Sequence, residues 1–187
     1  MDAGLRVLAP PARLREVTSP QDRRQVPVLS LARFHYAQTA PHGGYSTALA
    51  EIRAGRKRSH WIWFIFPQIA GLGHSSTARA FAVRDLDEAR AYLRDPILRA
   101  RYEEISRVVA GQIERGIPVE TLMGGSIAAL KLTSSLTLFR AAASQLAAVE
   151  SGDSFTSLAA LCDTLLQHLS RQGYAACQFT LETGAPR

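Results

Sequence analysis

Apolar residues recur at helical spacing along most of the chain, and this pattern predicts an all-α protein. The clearest stripe runs from Ile97 to Ile113, with Asp95-Pro96 before it as an N-cap and a first-turn proline. Asp85 followed by Glu88 has the form of a capping box at the start of another helix. The spacing predicts further helices over 29–39, 45–54, 75–83, 86–93, 126–143 and 153–169.

An aromatic patch from Trp61 to Phe66 interrupts this series and holds both tryptophans. Its loose alternation of β-forming residues favours a buried strand. No second strong strand is available to pair with it, and a lone strand would leave backbone groups unpaired. We therefore predict a short buried helix that Pro67 ends, with Phe64 inward and one tryptophan on the wall of a pocket.

The distribution of prolines, arginines and apolar residues divides the chain into three segments. Residues 1–28 contain four prolines, five arginines and no aromatic residue, which predicts a flexible basic tail. Residues 29–172 are expected to form a single compact multi-helix domain. Residues 173–187 lack strong order signals and form a carboxy-terminal extension in this interpretation.

The chain totals limit the class of protein. No apolar run approaches the ~18 residues that a membrane span needs, and no signal peptide is evident. The two cysteines form neither a metal spacing nor a disulfide framework, so a cytoplasmic location is expected. The net charge of +6 favours phosphate-bearing partners. The sequence indicates no oligomeric state.

A cationic segment, Arg56-Lys57-Arg58, stands directly before the aromatic patch. Arginine offers a bidentate fork to phosphate and lysine a point charge, so Arg56 and Lys57 are predicted ligand-binding residues. Histidine is the side chain that most often serves as a general acid or base, so His60 is the predicted proton-transfer group. In a purely structural alternative, these cations bind the carbonyls that end the second helix, or a carboxylate such as Glu51.

The other predicted ligand-binding residues are aromatic or polar. A tryptophan can stack a nucleobase, and an amide can hydrogen-bond its edge. A lysine and two serines at helical spacing share a face, and such a polar stripe either bonds the backbone or lines a pocket. We expect the stripe to face the cationic segment across a cleft. These residues are Trp61, Trp63, Gln68, Lys131, Ser134 and Ser135.

The segment Gly55 to Gly73, Gly-Arg-Lys-Arg-Ser-His-Trp-Ile-Trp-Phe-Ile-Phe-Pro-Gln-Ile-Ala-Gly-Leu-Gly, resembles the signature of a bacterial and fungal family called domain of unknown function 1810. Lys131 to Phe139 resembles that family's Lys-Leu-x-Ser-Ser-Met-Thr-Leu-Phe element. The resemblance covers roughly Leu31 to Ala143; it implies an all-helical fold and carries no reaction. The family usually has aspartates just before the second element, where this chain has Ala128 and Ala129.

Two hypotheses from different classes follow. In the first, the protein binds, and in a further version hydrolyses or transfers, a phosphate-bearing small molecule of nucleotide type. In the second, it is a nucleic-acid or protein interaction module whose basic face joins the tail to Arg56-Lys57-Arg58. No metal spacing, Walker loop or Gly-x-Ser-x-Gly elbow is present, so no metal and no cofactor is predicted.

Overall fold

Ten helices make up the regular structure of the residues that the computed structural model describes, 28–150 and 152–183. They form an all-α domain, as predicted, and none is long and apolar enough to cross a membrane. The predicted tail, residues 1–28, lies outside the described residues except for its last position. The helices are α1 (Val28–Thr39), α2 (Tyr45–Arg53), α3 (Ile62–Ile65), α4 (Ser76–Ala80), α5 (Leu86–Arg94), α6 (Pro96–Glu114), α7 (Val119–Met123), α8 (Ser126–Val149), α9 (Asp153–Arg171) and α10 (Gln178–Thr183).

Helix α8 is the centre of the fold, because α3, α5, α7, α9 and α10 all pack against it. Every residue from Leu132 to Phe139 is buried. A helix enclosed in this way must satisfy its hydroxyl groups internally. Thr133, Ser134 and Thr137 each donate to the carbonyl four residues earlier, at 3.0, 3.0 and 2.8 Å. The polar residues of this stretch are therefore part of the core.

Side-chain caps fix the starts of α5 and α6, as predicted. The carboxylate of Asp85 accepts from an N–H of the first turn of α5, and that of Asp95 accepts from two in α6. The carboxylate of Glu88 is buried; it accepts the backbone N–H of Arg84 and pairs with Arg33 of α1 at 3.0 Å. Helix α1 is thereby tied to α5.

The aromatic patch folds as a single helical turn, α3, followed by Pro67, in agreement with the predicted short helix. Beyond the proline, Ile69 and Val83 form an isolated bridge, in which Val83 N–H donates to the Gln68 carbonyl at 2.8 Å. The bridge holds Val83 outside the helix. This explains why α4 ends at Ala80, three residues before the predicted end.

Helix α10 lies in the carboxy-terminal segment, where no helix was predicted. Six residues are too few for a stable isolated helix, so its contact with α8 holds it in place. The backbone N–H of Cys177 donates to Thr137 Oγ1 at 3.1 Å, and the Thr180 side chain is buried. Helix α8 likewise continues to Val149, beyond the predicted end at Ala143, because Leu146 is still in the core.

Candidate functional site

Glu51, near the end of α2, organises the cationic segment. Its carboxylate accepts the backbone N–H of Arg58 at 2.8 Å, the N–H and hydroxyl of Ser59, and the indole N–H of Trp61 at 2.7 Å. The segment therefore wraps around one carboxylate, and its own cationic side chains stay outside that network. Glu51 thus binds two backbone amides, the Ser59 hydroxyl and the Trp61 indole. Among the described residues it forms no ion pair with Arg56 or Lys57, in contrast to one of the two forms of the structural alternative.

A second contact fixes Lys57 against the turn between α7 and α8. Its N–H donates to the Leu122 carbonyl at 2.7 Å. Gly124 has a φ of +75°, and a Cβ on it would lie 2.9 Å from the Lys57 carbonyl oxygen. Only glycine suits both this left-handed conformation and this close approach. The Gly124-Gly125 pair thereby brings the cationic segment to the start of α8.

The start of α8 carries no side-chain cap. Its N-cap residue is Gly125, and the first intrahelical bond runs from Ala129 N–H to the Gly125 carbonyl. The amides of the three residues before Ala129 have no helical acceptor, which leaves partial positive charge at this end of the helix. These residues, Ser126, Ile127 and Ala128, line a cleft.

This cleft, called here the Lys57–Lys131 cleft, has a volume of about 310 Å³. Lys131 Nζ lies 4.5 Å from the centre of the Trp63 ring, and the His60 ring is nearly parallel to that ring with centres 6.5 Å apart. The cleft is lined by Lys57, His60, Ile62, Trp63, Met123, Gly124, Gly125, Ser126, Ile127, Ala128 and Lys131. It combines an aromatic wall with two ammonium groups.

Neither ammonium has a carboxylate within 4.0 Å among the described residues. Burial lowers the pKa of Lys57; Glu51 acts to raise it, and repulsion from Lys131 lowers it again. Burial also lowers the pKa of Lys131. The two ammonium groups line one cleft, and an anion bound there would offset the charge of both.

Four of the nine predicted site residues meet in the cleft: Lys57, His60, Trp63 and Lys131. The other five lie elsewhere. Arg56 is exposed, and its backbone N–H bonds the Glu51 carbonyl, whereas Trp61 is fully buried. The backbone carbonyl of Gln68 belongs to the Ile69–Val83 bridge. The two serines face the core: Ser134 bonds the Leu130 carbonyl, and the Ser135 hydroxyl lies 3.2 Å from that of Tyr102. The tryptophan on the pocket wall is Trp63.

Sequence reasoning missed the contribution of the α7–α8 turn, although two signals pointed to it. Consecutive glycines before a long helix indicate a backbone that approaches something closely. In addition, the chain contains only two lysines against twenty arginines, and both of these lysines line the cleft. A rare residue type that recurs in two distant motifs is a reason to expect the motifs to meet.

The hydrogen bonds on Glu51 predict a specific acid sensitivity. Burial would raise the pKa of Glu51, but the four donors outweigh it and lower the pKa from 4.5 to about 2. Because the folded-state pKa is below the unfolded one, the carboxylate contributes fully above about pH 4.5, and its contribution is lost as the pH falls toward 2. In urea denaturation at pH 7, 4 and 3, the stability difference between wild type and Glu51→Gln should shrink with falling pH. A difference independent of pH would contradict this origin.

These features define a class: small all-helical proteins with a cationic, aromatic-walled cleft at the amino-terminal end of a central helix. The chain belongs to the family described as protein of unknown function (DUF1810), whose model matches residues 28–156. The solved structure of a conserved hypothetical protein from Mycobacterium tuberculosis is 34% identical, with a TM-score of 0.64. That match covers 84% of this chain and 98% of the mycobacterial one. No curated protein matches the chain significantly.

Proposed function

We propose that the protein binds a phosphate-bearing small molecule of nucleotide type in the Lys57–Lys131 cleft. The observation that carries the proposal is the pair of ammonium groups on one cleft with no carboxylate partner among the described residues. Buried or half-buried cations normally have a carboxylate partner, so two lysines without one indicate a site for an anionic ligand. The free amides at the start of α8 add donors for phosphate oxygens.

The wall of the cleft supports the nucleotide part of the proposal. Trp63 and His60 present nearly parallel rings beside Lys131. Because Lys131 Nζ lies over the Trp63 ring, the exposed ring of His60 is the surface on which a nucleobase would stack. The volume of about 310 Å³ lies at the small end of ligand sites, which suits a single nucleotide better than a polynucleotide.

His60 is the side chain placed to transfer protons if the ligand is turned over. It is exposed, lines the cleft, and follows Ser59, whose hydroxyl is fixed by Glu51 at 2.6 Å. A general acid or base must be within hydrogen-bond reach of the reacting group, and His60 lines the same cleft as both ammonium groups. Binding is the primary proposal, and turnover would depend on His60.

The interaction-module alternative stays a prediction, because its basic face would join Arg56-Lys57-Arg58 to the tail, and residues 1–27 lie outside the described residues. Arg56 and Arg58 have no carboxylate within 4.0 Å among the described residues, whereas eight other arginines do. Those arginines are Arg33, Arg53, Arg84, Arg90, Arg94, Arg99, Arg107 and Arg140.

Removal of either cleft lysine is expected to weaken nucleotide binding. AMP, ADP and ATP are titrated by tryptophan fluorescence and by calorimetry. Lys131→Met and Lys57→Met should each raise Kd about tenfold, or roughly 1.4 kcal/mol, through the loss of one charge-assisted contact.

The matched control is Arg94→Met, which also removes one positive charge. Arg94 pairs with Glu150 at the other end of α8, about 28 Å along the helix axis from Lys131. Its Kd should equal that of wild type. No fluorescence or heat response to any of the three nucleotides, or equal weakening in all three variants, would overturn the proposal.

A further inference from the structure

Lysine occupies only positions that face the cleft. All twenty other cationic side chains of the chain are arginines, including every cation in the ion pairs of the helices. Arginine binds phosphate through a bidentate fork, so phosphate binding by itself does not call for lysine. A lysine can lose its proton and attack a carbonyl carbon, and an arginine cannot. The choice of lysine at both positions therefore points to amine chemistry.

Lys57 is the better placed of the two for such chemistry. It is half-buried, and its Nζ lies 5.3 Å from the centre of the buried Trp61 ring. Its backbone is held by the Leu122 carbonyl and against Gly124, so the base of the side chain is fixed. Burial lowers the pKa of Lys57, Glu51 acts to raise it, and Lys131 lowers it again, so the net shift is toward the neutral amine. The face of the Trp61 ring opposes this shift, because it attracts the ammonium form.

We propose that Lys57 forms an imine with a carbonyl group of the ligand, which makes the ligand class a nucleotide or sugar phosphate with a free reducing sugar end. This inference rests on the proposed function, because phosphate held by Lys131 and the start of α8 is what would bring the carbonyl to Lys57.

The step balances without an oxidant or a reductant. The Nζ lone pair of the neutral amine adds to the carbonyl carbon, the C=O π bond opens, and a proton passes from nitrogen to oxygen to give a carbinolamine. The hydroxyl group then leaves with the second nitrogen proton as water, and the C=N bond forms. His60, on the same cleft, is the side chain that relays these protons.

The test traps the imine. Ribose 5-phosphate is added with sodium borohydride, which reduces C=N to a stable secondary amine, and peptide mass spectrometry locates the adduct. Only two ε-amines and the α-amino group are available in wild type, so the assignment is unambiguous. The expected result is one adduct on Lys57, abolished in Lys57→Arg, while circular dichroism shows that the variant is folded.

Arg56→Lys supplies the matched control, since it places an ordinary exposed amine one position away and outside the cleft. The introduced lysine should be labelled at least about tenfold less than Lys57, because it lacks the environment that favours the neutral nucleophile. Equal labelling of the two positions, labelling of Lys131 in place of Lys57, or equal labelling by ribose without phosphate would overturn the inference.

AMP separates this inference from the proposed function, because it carries a phosphate and a base but no carbonyl. Binding of AMP without an adduct from ribose 5-phosphate would contradict imine formation at Lys57 and would leave the proposed nucleotide binding supported. An adduct on Lys57 without AMP binding would support the imine and contradict the nucleotide preference. Failure of both experiments would remove both proposals.

Discussion

Glu51→Ala is expected to lower the free energy of unfolding by about 3 kcal/mol, the largest single effect among the residues of the site. Hydrogen bonds to a charged group are worth about 1.5–3 kcal/mol each, although water replaces some of them here because Glu51 is only half-buried. The donor that water cannot easily reach is the indole N–H of Trp61, whose side chain is fully buried. An unpaired buried donor costs about 1–3 kcal/mol by itself.

Urea or thermal denaturation at pH 7 measures this effect. The control is Glu114→Ala, which removes an exposed carboxylate that has no side-chain hydrogen bond or ion pair within the described ranges. It should change the free energy of unfolding by no more than about 0.5 kcal/mol. Similar stability of the two variants would show that the Glu51 network does not hold the cationic segment.

The second large effect is expected from Ala128→Asp, which should weaken nucleotide binding by about 10- to 100-fold, or roughly 1.4–2.8 kcal/mol. Ala128 lines the cleft in the first turn of α8, one turn before Lys131. A carboxylate there would pair with Lys131 at i,i+3 and would repel a phosphate. It would also complement the helix dipole, so the fold should be as stable as wild type or slightly more so.

Ala128→Asn is the matched control, because it adds nearly the same volume without the charge. It should bind nucleotides within about twofold of wild type, since the cationic field of the cleft is kept. Calorimetry gives the affinities, and denaturation confirms that all three proteins are folded. Unchanged affinity in Ala128→Asp would mean that the ligand does not use the cationic end of α8, and the proposed function would then fail.

The same position is where the resemblance predicts a difference between this chain and its family. The resemblance indicates aspartates just before the Lys131 element, and this chain has Ala128 on the cleft and fully buried Ala129. An aspartate at 128 would neutralise Lys131 from its own helix. The resemblance therefore predicts that Lys131 is paired in relatives that carry this aspartate, and the ligand preference proposed here is for this chain.

Local chemistry was enough to predict the helices and several of their ends. The stripe in α6 and the caps at Asp85 and Asp95 depend on side chains within one turn of each other, so they are visible in the sequence. The same holds for the short turn that Pro67 ends. Elements held only by contacts distant in sequence were missed, as α10 shows: the residue directly before it, Cys177, bonds Thr137 of α8.

By itself, then, the sequence determined the all-helical class, the family and the two motifs that carry Lys57 and Lys131. The tertiary structure alone decided which members of those motifs meet. Ser134 and Ser135 follow Lys131 on α8, yet α8 is enclosed on all sides from Leu132 to Phe139, so the serines are in the core and the lysine is on the cleft. The physical reason is that the helical repeat determines which residues share a face of α8, whereas only the packing of the neighbouring helices determines which faces are exposed.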